Sequence, residues 1–237
     1  MGSISGGWRG PGIVGDGLVL YLDAGSPSSY LTEFGTTFKD VSGNGNTGTL
    51  TNGPTYSTGS GGTIVFDGVN DYVNVPSFNI ASGVSGFTLS AWVYYAAGSG
   101  TWPMIICDNG NTAKMLFGVN IGTGHAGFNI YLGGTETANN TAPTANAWYH
   151  VVGILDNTGS VSTVNLYVNG FLISTASRGQ NFPFPGYSSG TFIGNGSNGG
   201  NSYWKGNIAM ASIYNRVLSA TEVLQNYNAS KARFGLS

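Results

Sequence analysis

Phe66-Asp67-Gly68-Val69-Asn70-Asp71-Tyr72-Val73 is a tight acidic turn set between two apolar strand ends. Gly68 accepts a positive φ without a steric penalty, and an aspartate beside it bonds nearby backbone N–H groups, so the turn has a physical cause. Asp67, Asn70 and Asp71 also place three oxygen-bearing side chains close together. Such a set either holds a hard cation or staples the loop. Thr63–Phe66 and Tyr72–Val75 are expected to pair with each other around this turn.

Outward from the turn, the same two-residue period recurs. In 87–95, Phe87, Leu89, Ala91 and Val93 share one face and Thr88, Ser90, Trp92 and Tyr94 the other. Leu18–Leu22 opens the series. Met115, Phe117, Val119 and Ile121 alternate, as do Phe128, Ile130 and Leu132. Trp148–Leu155 is apolar at nearly every position and predicts a strand buried on both faces. Val164–Val168 and Phe171–Ile173 flank Asn169-Gly170, the pair that a type I′ hairpin turn demands. Residues 191–194 and 206–214 supply further strands. Ser219-Ala220-Thr221-Glu222 is a capping box, predicting one short helix to about Tyr227. No composition break divides the chain. The expected architecture is all-β, a β-sandwich with one short C-terminal helix. A Gly-rich N-terminal arm at 1–17 precedes a domain at 18–230, and a tail covers 231–237.

Composition narrows the function classes. The 40 glycines and 8% charged residues suit a sheet protein with Gly/Asn turns, and 13% aromatics supply a core. A net charge of −2 without a basic run excludes nucleic acid as the expected partner. No stretch approaches the ~20 apolar residues of a membrane span. Met1–Gly17 holds no apolar run of signal-peptide length, so synthesis in the cytoplasm and exit by lysis are expected. Cys107 is the single cysteine and reads as a small buried hydrophobe.

FDGVNDYV at 66–73, FTLSAWV at 87–93, WYHVV at 148–152, LYVNG at 166–170 and IYNRVLSATE at 213–222 follow one another in order. Together they resemble the laminin-G-like domain of the concanavalin-A-like lectin and glucanase superfamily, over about residues 18–228. The resemblance implies a two-sheet antiparallel jelly roll that more often binds than catalyses. GPGIVGDGLVLYLDAGSPSSY at 10–30, DVSGNGNTGTLTNGPTY at 40–56 and ARFGL at 232–236 are similar to laminin-G-like proteins of tailed bacteriophages.

Glycoside hydrolases of the superfamily need two carboxyl groups at defined separation. This chain has only Glu33, Glu136 and Glu222, none with a carboxylate two residues away. His150 lies mid-strand and reads as structural; His125 has no ligand-spaced neighbour. The chain is therefore expected not to be an enzyme. Calcium is the alternative reading of two loops, Asp40, Asn44 and Asn46 in the first and Asp67, Asn70 and Asp71 in the second, and the resemblance favours it. Ala209, where the superfamily often has an acidic residue, weakens a site that would use it. For sugar stacking the candidates are Trp102, Phe182, Phe184, Tyr187, Tyr203 and Trp204, read as exposed loop aromatics.

The expected function is a non-enzymatic virion protein, a capsid or tail appendage or decoration, with a lectin-like domain aiding adsorption to host surface polysaccharide. Its partners would be other virion proteins, met through the N-terminal arm, and a second copy of the chain in a homo-oligomer. The alternative is an extracellular bacterial carbohydrate-binding module.

Overall fold

The computed structural model describes residues 12–76, 78, 84–98, 100–108, 115–120, 127–132, 135–138, 141–178, 190–195 and 202–237. Among them, two eight-stranded antiparallel sheets pack face to face. The back sheet runs β14 (Phe171–Arg178), β13 (Ser162–Val168), β12 (Ala147–Asp156), β7 (Gly86–Tyr95), β16 (Lys205–Tyr214), β5 (Thr63–Asp67), β4 (Thr55–Ser57), and β1 (Leu18–Asp23) also pairs with β16. The front sheet runs β11 (Thr135–Ala138), β10 (Gly127–Leu132), β9 (Met115–Asn120), β8 (Met104–Asp108), β15 (Thr191–Ile193), β6 (Tyr72–Val75), β3 (Gly48–Thr51), β2 (Thr37–Phe38). This is the β-sandwich expected from the alternation and the two-sheet jelly roll that the resemblance implied. The short strands β2, β3, β4 and β11, and the apolar β8, were not expected.

The alternation in β7 works as read. Phe87, Leu89, Ala91 and Val93 enter the core between the sheets, together with Phe117, Val119, Phe128, Ile130, Val151 and Leu155 from neighbouring strands. Gly153 faces Ile130 of the other sheet closely, for an added Cβ would stand 1.8 Å from Ile130 Cδ1. Asn169 and Gly170 take φ of 51° and 85°, so the β13–β14 hairpin has its type I′ turn.

The opening stretch corrects one expectation. β5 and β6 do not pair with each other. β5 bonds β16 and β4, and β6 bonds β15 and β3, in the opposite sheet. The acidic turn is a corner between sheets, not a hairpin. Sheets packed ~10 Å apart need a few residues to cross, and residues 68–71 make that crossing. Ile64 and Phe66 then meet Val73 and Val75 across the core, all four buried.

A bulge at Ala209 divides the edge of β16. Residues 205–208 pair with β5 and residues 210–214 with β1, and Ala209 O accepts from Ala24 N–H. The helix α1 (Ala220–Ser230) begins at the expected capping box and continues past Tyr227 into a 3-10 turn at Lys231–Phe234. The boundaries expected at 17/18 and 230/231 are not breaks in packing. Val14 is buried and donates its N–H to Asn226 Oδ1 at 2.8 Å. Phe234 is buried, and Arg233 bonds Asp23 Oδ1 at 2.7 Å and the carbonyls of Ser60 and Gly62. No described helix is long and apolar enough to cross a membrane.

Candidate functional site

Strand alternation dictates what the front sheet shows to the outside. Val73 and Val75 of β6 are in the core, so Tyr72 and Asn74 face outward. By the same rule Thr49 and Thr51 flank buried Leu50, Phe192 precedes buried Ile193, and Thr37 precedes buried Phe38. Register then lines them up. Thr37 pairs with Thr49, Thr49 with Asn74, Asn74 with Phe192, and Thr51 stands opposite Tyr72. Tyr72 and Phe192 meet edge to face with ring centroids 4.9 Å apart. Thr49 is exposed; Thr37, Thr51, Tyr72, Asn74 and Phe192 are partly exposed. Asn74 is partly exposed, although its Oδ1 is itself buried and bonds nothing among the described residues. Sequence reasoning sought aromatics in loops and missed these strand residues. The alternation of Tyr72-Val73-Asn74-Val75 was the signal that would have found them.

The acidic corner borders this row. β6 and β8 begin, and β15 ends, at the same end of the sheet, because β15 lies antiparallel between the other two. The Asp67–Asn70 turn, Trp102 and Tyr203 therefore collect at one rim, with Met104 N–H bonded to Ser202 O at 2.9 Å. Trp102 is exposed and Tyr203 half-buried. Trp204 does not belong with them. It is fully buried in the core with Tyr95 at 6.0 Å, because Trp204, Gly206 and Ile208 continue the inward face of β16 one step before the strand begins. Phe182, Phe184 and Tyr187 lie outside the described residues.

The two loops proposed for calcium are built as staples. Asp40 Oδ1 accepts from Tyr21 N–H and Ser42 N–H; its Oδ2 accepts from the Ser42 hydroxyl and Asn46 N–H, all at 2.9 Å. A carboxylate has about four lone-pair sites, and all are taken. Asn44 and Asn46 turn their amide nitrogens to the carbonyls of Leu18 and Val19, donating where a cation would need an oxygen. In the corner, Asp67 Oδ1 accepts from Val69 and Asn70 N–H, and Asp71 Oδ2 from Asp67 N–H at 3.0 Å. Burial, and then the Asp67 charge, push the Asp71 carboxyl above its usual range. Among the described residues no group of three His, Cys, Asp or Glu converges. The Asp40 carboxylate, with its lone pairs taken by N–H and O–H groups, does not fit calcium; in the corner Asp67 Oδ1 and Asp71 Oδ2 bond backbone N–H groups.

The back sheet's outer face is covered over Trp92 and Trp148 of β7 and β12. Trp92 stacks on Phe234 at 4.1 Å and on Tyr227 at 5.8 Å, and Trp148 meets Phe234 at 4.6 Å. Beneath this layer Ser90 Oγ lies 2.9 Å from His150 Nε2, a spacing seen in nucleophile–base pairs. The pair is not set up for that work. His150 Nδ1 is buried without a partner, and burial lowers the imidazole pKa to about 3. The adjoining cavity, lined by Trp92, His150, Ser212, Tyr214 and Asn226 among others, has about 20 Å³, room for roughly one water. A sugar cannot enter it.

A family model described as Laminin_G_3, Concanavalin A-like lectin/glucanases superfamily, matches residues 67–224. No curated protein matches the sequence. Among solved structures, domain 4 of AbnA, a GH43 extracellular arabinanase from Geobacillus stearothermophilus solved with arabinotriose, is similar with TM-score 0.64 and 18% identity, over 90% of this chain and 98% of that one. Trypanosoma rangeli sialidase is similar with TM-score 0.61 and 19% identity, over 92% and 33%. The receptor binding domain of botulinum neurotoxin D gives 0.66 and 14%, over 90% and 53%. The chain thus spans a third of the sialidase, about half of the toxin domain and nearly all of the arabinanase domain. At these identities the likeness is one of fold.

Proposed function

The chain belongs to the Laminin_G_3 family of the concanavalin A-like lectin/glucanases superfamily, and on that premise we propose that it is a non-catalytic glycan-binding module carried on a phage particle as a capsid or tail appendage. The observation that carries the binding role is the outward row on the front sheet: hydroxyls at Thr49 and Thr51, the partly exposed amide of Asn74, and the Tyr72–Phe192 ring pair. Sugars are held by such sets, with rings against C–H faces and planar amides on hydroxyls.

The described carboxylates support a non-catalytic reading, since most are engaged elsewhere. Asp23 pairs with Arg233, Asp40 is saturated, Asp67 and Asp71 bond the corner, Asp156 caps Thr158, and Glu222 serves the helix cap and Arg216. Binding is tested by affinity electrophoresis through gels cast with soluble polysaccharides. The wild-type chain is expected to be retarded by at least one, and a Tyr72→Ala/Asn74→Ala variant by none. Equal retardation of the two would remove the site from the front sheet.

The particle setting rests on the resemblance of residues 10–30, 40–56 and 232–236 to tailed-phage proteins. Attachment through residues 1–11 fits it, because the chain from Val14 onward is already bonded into the domain. A chain lacking residues 1–11 should fold but fail to join particles, and undiminished incorporation would refute that attachment. The second reading, an accessory carbohydrate-binding module of an extracellular bacterial system, is favoured by the arabinanase domain, whose whole length this chain nearly covers. Neighbouring genes encoding capsid and tail proteins would decide for the first reading; neighbouring glycosidase genes would decide for the second.

A further inference from the structure

The front sheet carries no positive charge in any of its strands. The segments 37–38, 48–51, 72–75, 104–108, 115–120, 127–132, 135–138 and 191–193 contain no Lys or Arg. Their only ionisable acids are Asp108 and Glu136. Nearby cations are committed elsewhere. Lys39, just past β2, holds its ammonium 3.6 Å from the Phe34 ring centroid. Lys205 belongs to the back sheet and stands opposite Asp67 in register. Lys114 lies outside the described residues. The rim adds Asp67 and Asp71, with Lys205 opposite Asp67 in register.

Recognition of a sugar carboxylate or sulfate relies on charge-assisted bonds, above all bidentate ones from Arg. Nothing in the row supplies them. What the row does supply is neutral: hydroxyls that donate or accept, a partly exposed amide, and two rings. Resting on the glycan-binding reading above, we infer that the ligand of the front sheet is an uncharged oligosaccharide, and that sialylated, uronated and sulfated glycans are excluded by the missing cation and the acidic rim. Two of the similar folds belong to a sialidase and a toxin receptor-binding domain; by this inference the present chain shares their sandwich without an acidic-sugar preference.

The experiment uses the full chain in calorimetric titrations. Neutral probes are arabinotriose, xylotriose, cellotriose, mannotriose and lactose; acidic probes are 3′-sialyllactose, a galacturonate trimer and a sulfated galacto-oligosaccharide. A neutral probe should bind with an affinity unchanged between low and high salt, and acidic probes at least about tenfold more weakly, the scale set by one charge-assisted contact. Preference for an acidic probe, lost in Asn74→Ala, would overturn the inference while leaving the site in place. Binding that survives in both Tyr72→Ala and Asn74→Ala would overturn the site reading itself, and no binding by any probe would overturn both. Thr49→Arg supplies the missing cation beside Asn74 at an exposed position. It should bring 3′-sialyllactose binding up to that of lactose or beyond; a variant that still discriminates against the acid would count against charge as the cause.

Discussion

The sandwich has two outer faces made by the same alternation, and they end differently. On the back sheet, three of the four outward residues of β7 are covered, and Tyr94 is partly exposed. Thr88 bonds Arg216 O and Leu218 N–H, Ser90 meets His150, and Trp92 lies under Phe234 and Tyr227. On the front sheet, Thr49, Tyr72, Asn74 and Phe192 keep exposed surface. The residue types barely differ, hydroxyls and aromatics in both. What differs is the chain that follows β16: the helix and the 3-10 turn lie on one face only. The helix layer adds packing to the back, and on the proposed reading recognition falls to the front.

Removing the ring at the centre of the closed face should give the largest effect. Trp92 is 2% exposed, and a buried Trp→Ala change typically costs about 3–5 kcal/mol. Trp92→Ala should lower the urea midpoint accordingly, while glycan retardation of the folded fraction stays as in the wild type. Loss of binding in a fully folded Trp92→Ala protein would break the division between faces.

Acid should attack the same face next. His150 is neutral in the fold with its pKa lowered to about 3, whereas in the unfolded chain it titrates near ~6.5. Below ~6.5 the unfolded state therefore binds a proton that the folded state refuses, so stability is complete above that pH and falls as pH drops towards 3. The slope reaches about 1.4 kcal/mol per pH unit. Glu222, held at about 2 chiefly by Arg216, adds its own loss below ~4.5, the usual carboxylate range. Urea titrations at pH 7, 6 and 5 separate the two. His150→Leu should flatten the decline between pH 6 and 5, and a decline as steep as in the wild type would mean that His150 is not the group responsible.

Much of this was legible in the sequence, and what was not has a physical reason. Alternation is local, so the inward faces of β7, β9, β10 and β16 could be read directly. The partner of a strand is not local. Phe66-Asp67-Gly68-Val69-Asn70-Asp71-Tyr72-Val73 looks the same whether it closes a hairpin or turns a corner, and only the pairing of β5 with β16 decides. Trp204 misled because its neighbours are Gly, Ser and Asn, although Trp204, Gly206 and Ile208 already carry the inward period. The Asx residues of both loops were found correctly as turn-makers. Whether their oxygens face a cation or N–H groups depends on where Leu18, Val19 and Tyr21 come to lie, residues far upstream of the Asp40 loop.

Asp40→Asn tests that loop with a smaller effect. An amide offers one oxygen where the carboxylate offered two, and turns an N–H₂ towards donors it cannot satisfy. Loss of such contacts costs about 1–3 kcal/mol. The melting temperature of the wild type should be the same in chelator and in millimolar calcium, since the lone pairs of Asp40 are already occupied. A rise of several degrees on adding calcium, abolished in Asp40→Asn, would show the loop to be a cation site after all.

The smallest stability effect is expected on the open face, and it sharpens the comparison most. Tyr72→Ala removes a large ring, as Trp92→Ala does, but from a partly exposed position. The loss should be confined to the edge-to-face contact with Phe192 at 4.9 Å, a contact of about 0.5–1.5 kcal/mol, plus a modest burial term. Urea denaturation should place Tyr72→Ala within about 1.5 kcal/mol of the wild type, while retardation by polysaccharide disappears. A ring that matters to binding and hardly to folding is what an open recognition face requires. If Tyr72→Ala instead unfolded the protein as readily as Trp92→Ala, the front sheet would be a second packed face, and the row of Thr49, Asn74 and Phe192 would be structural.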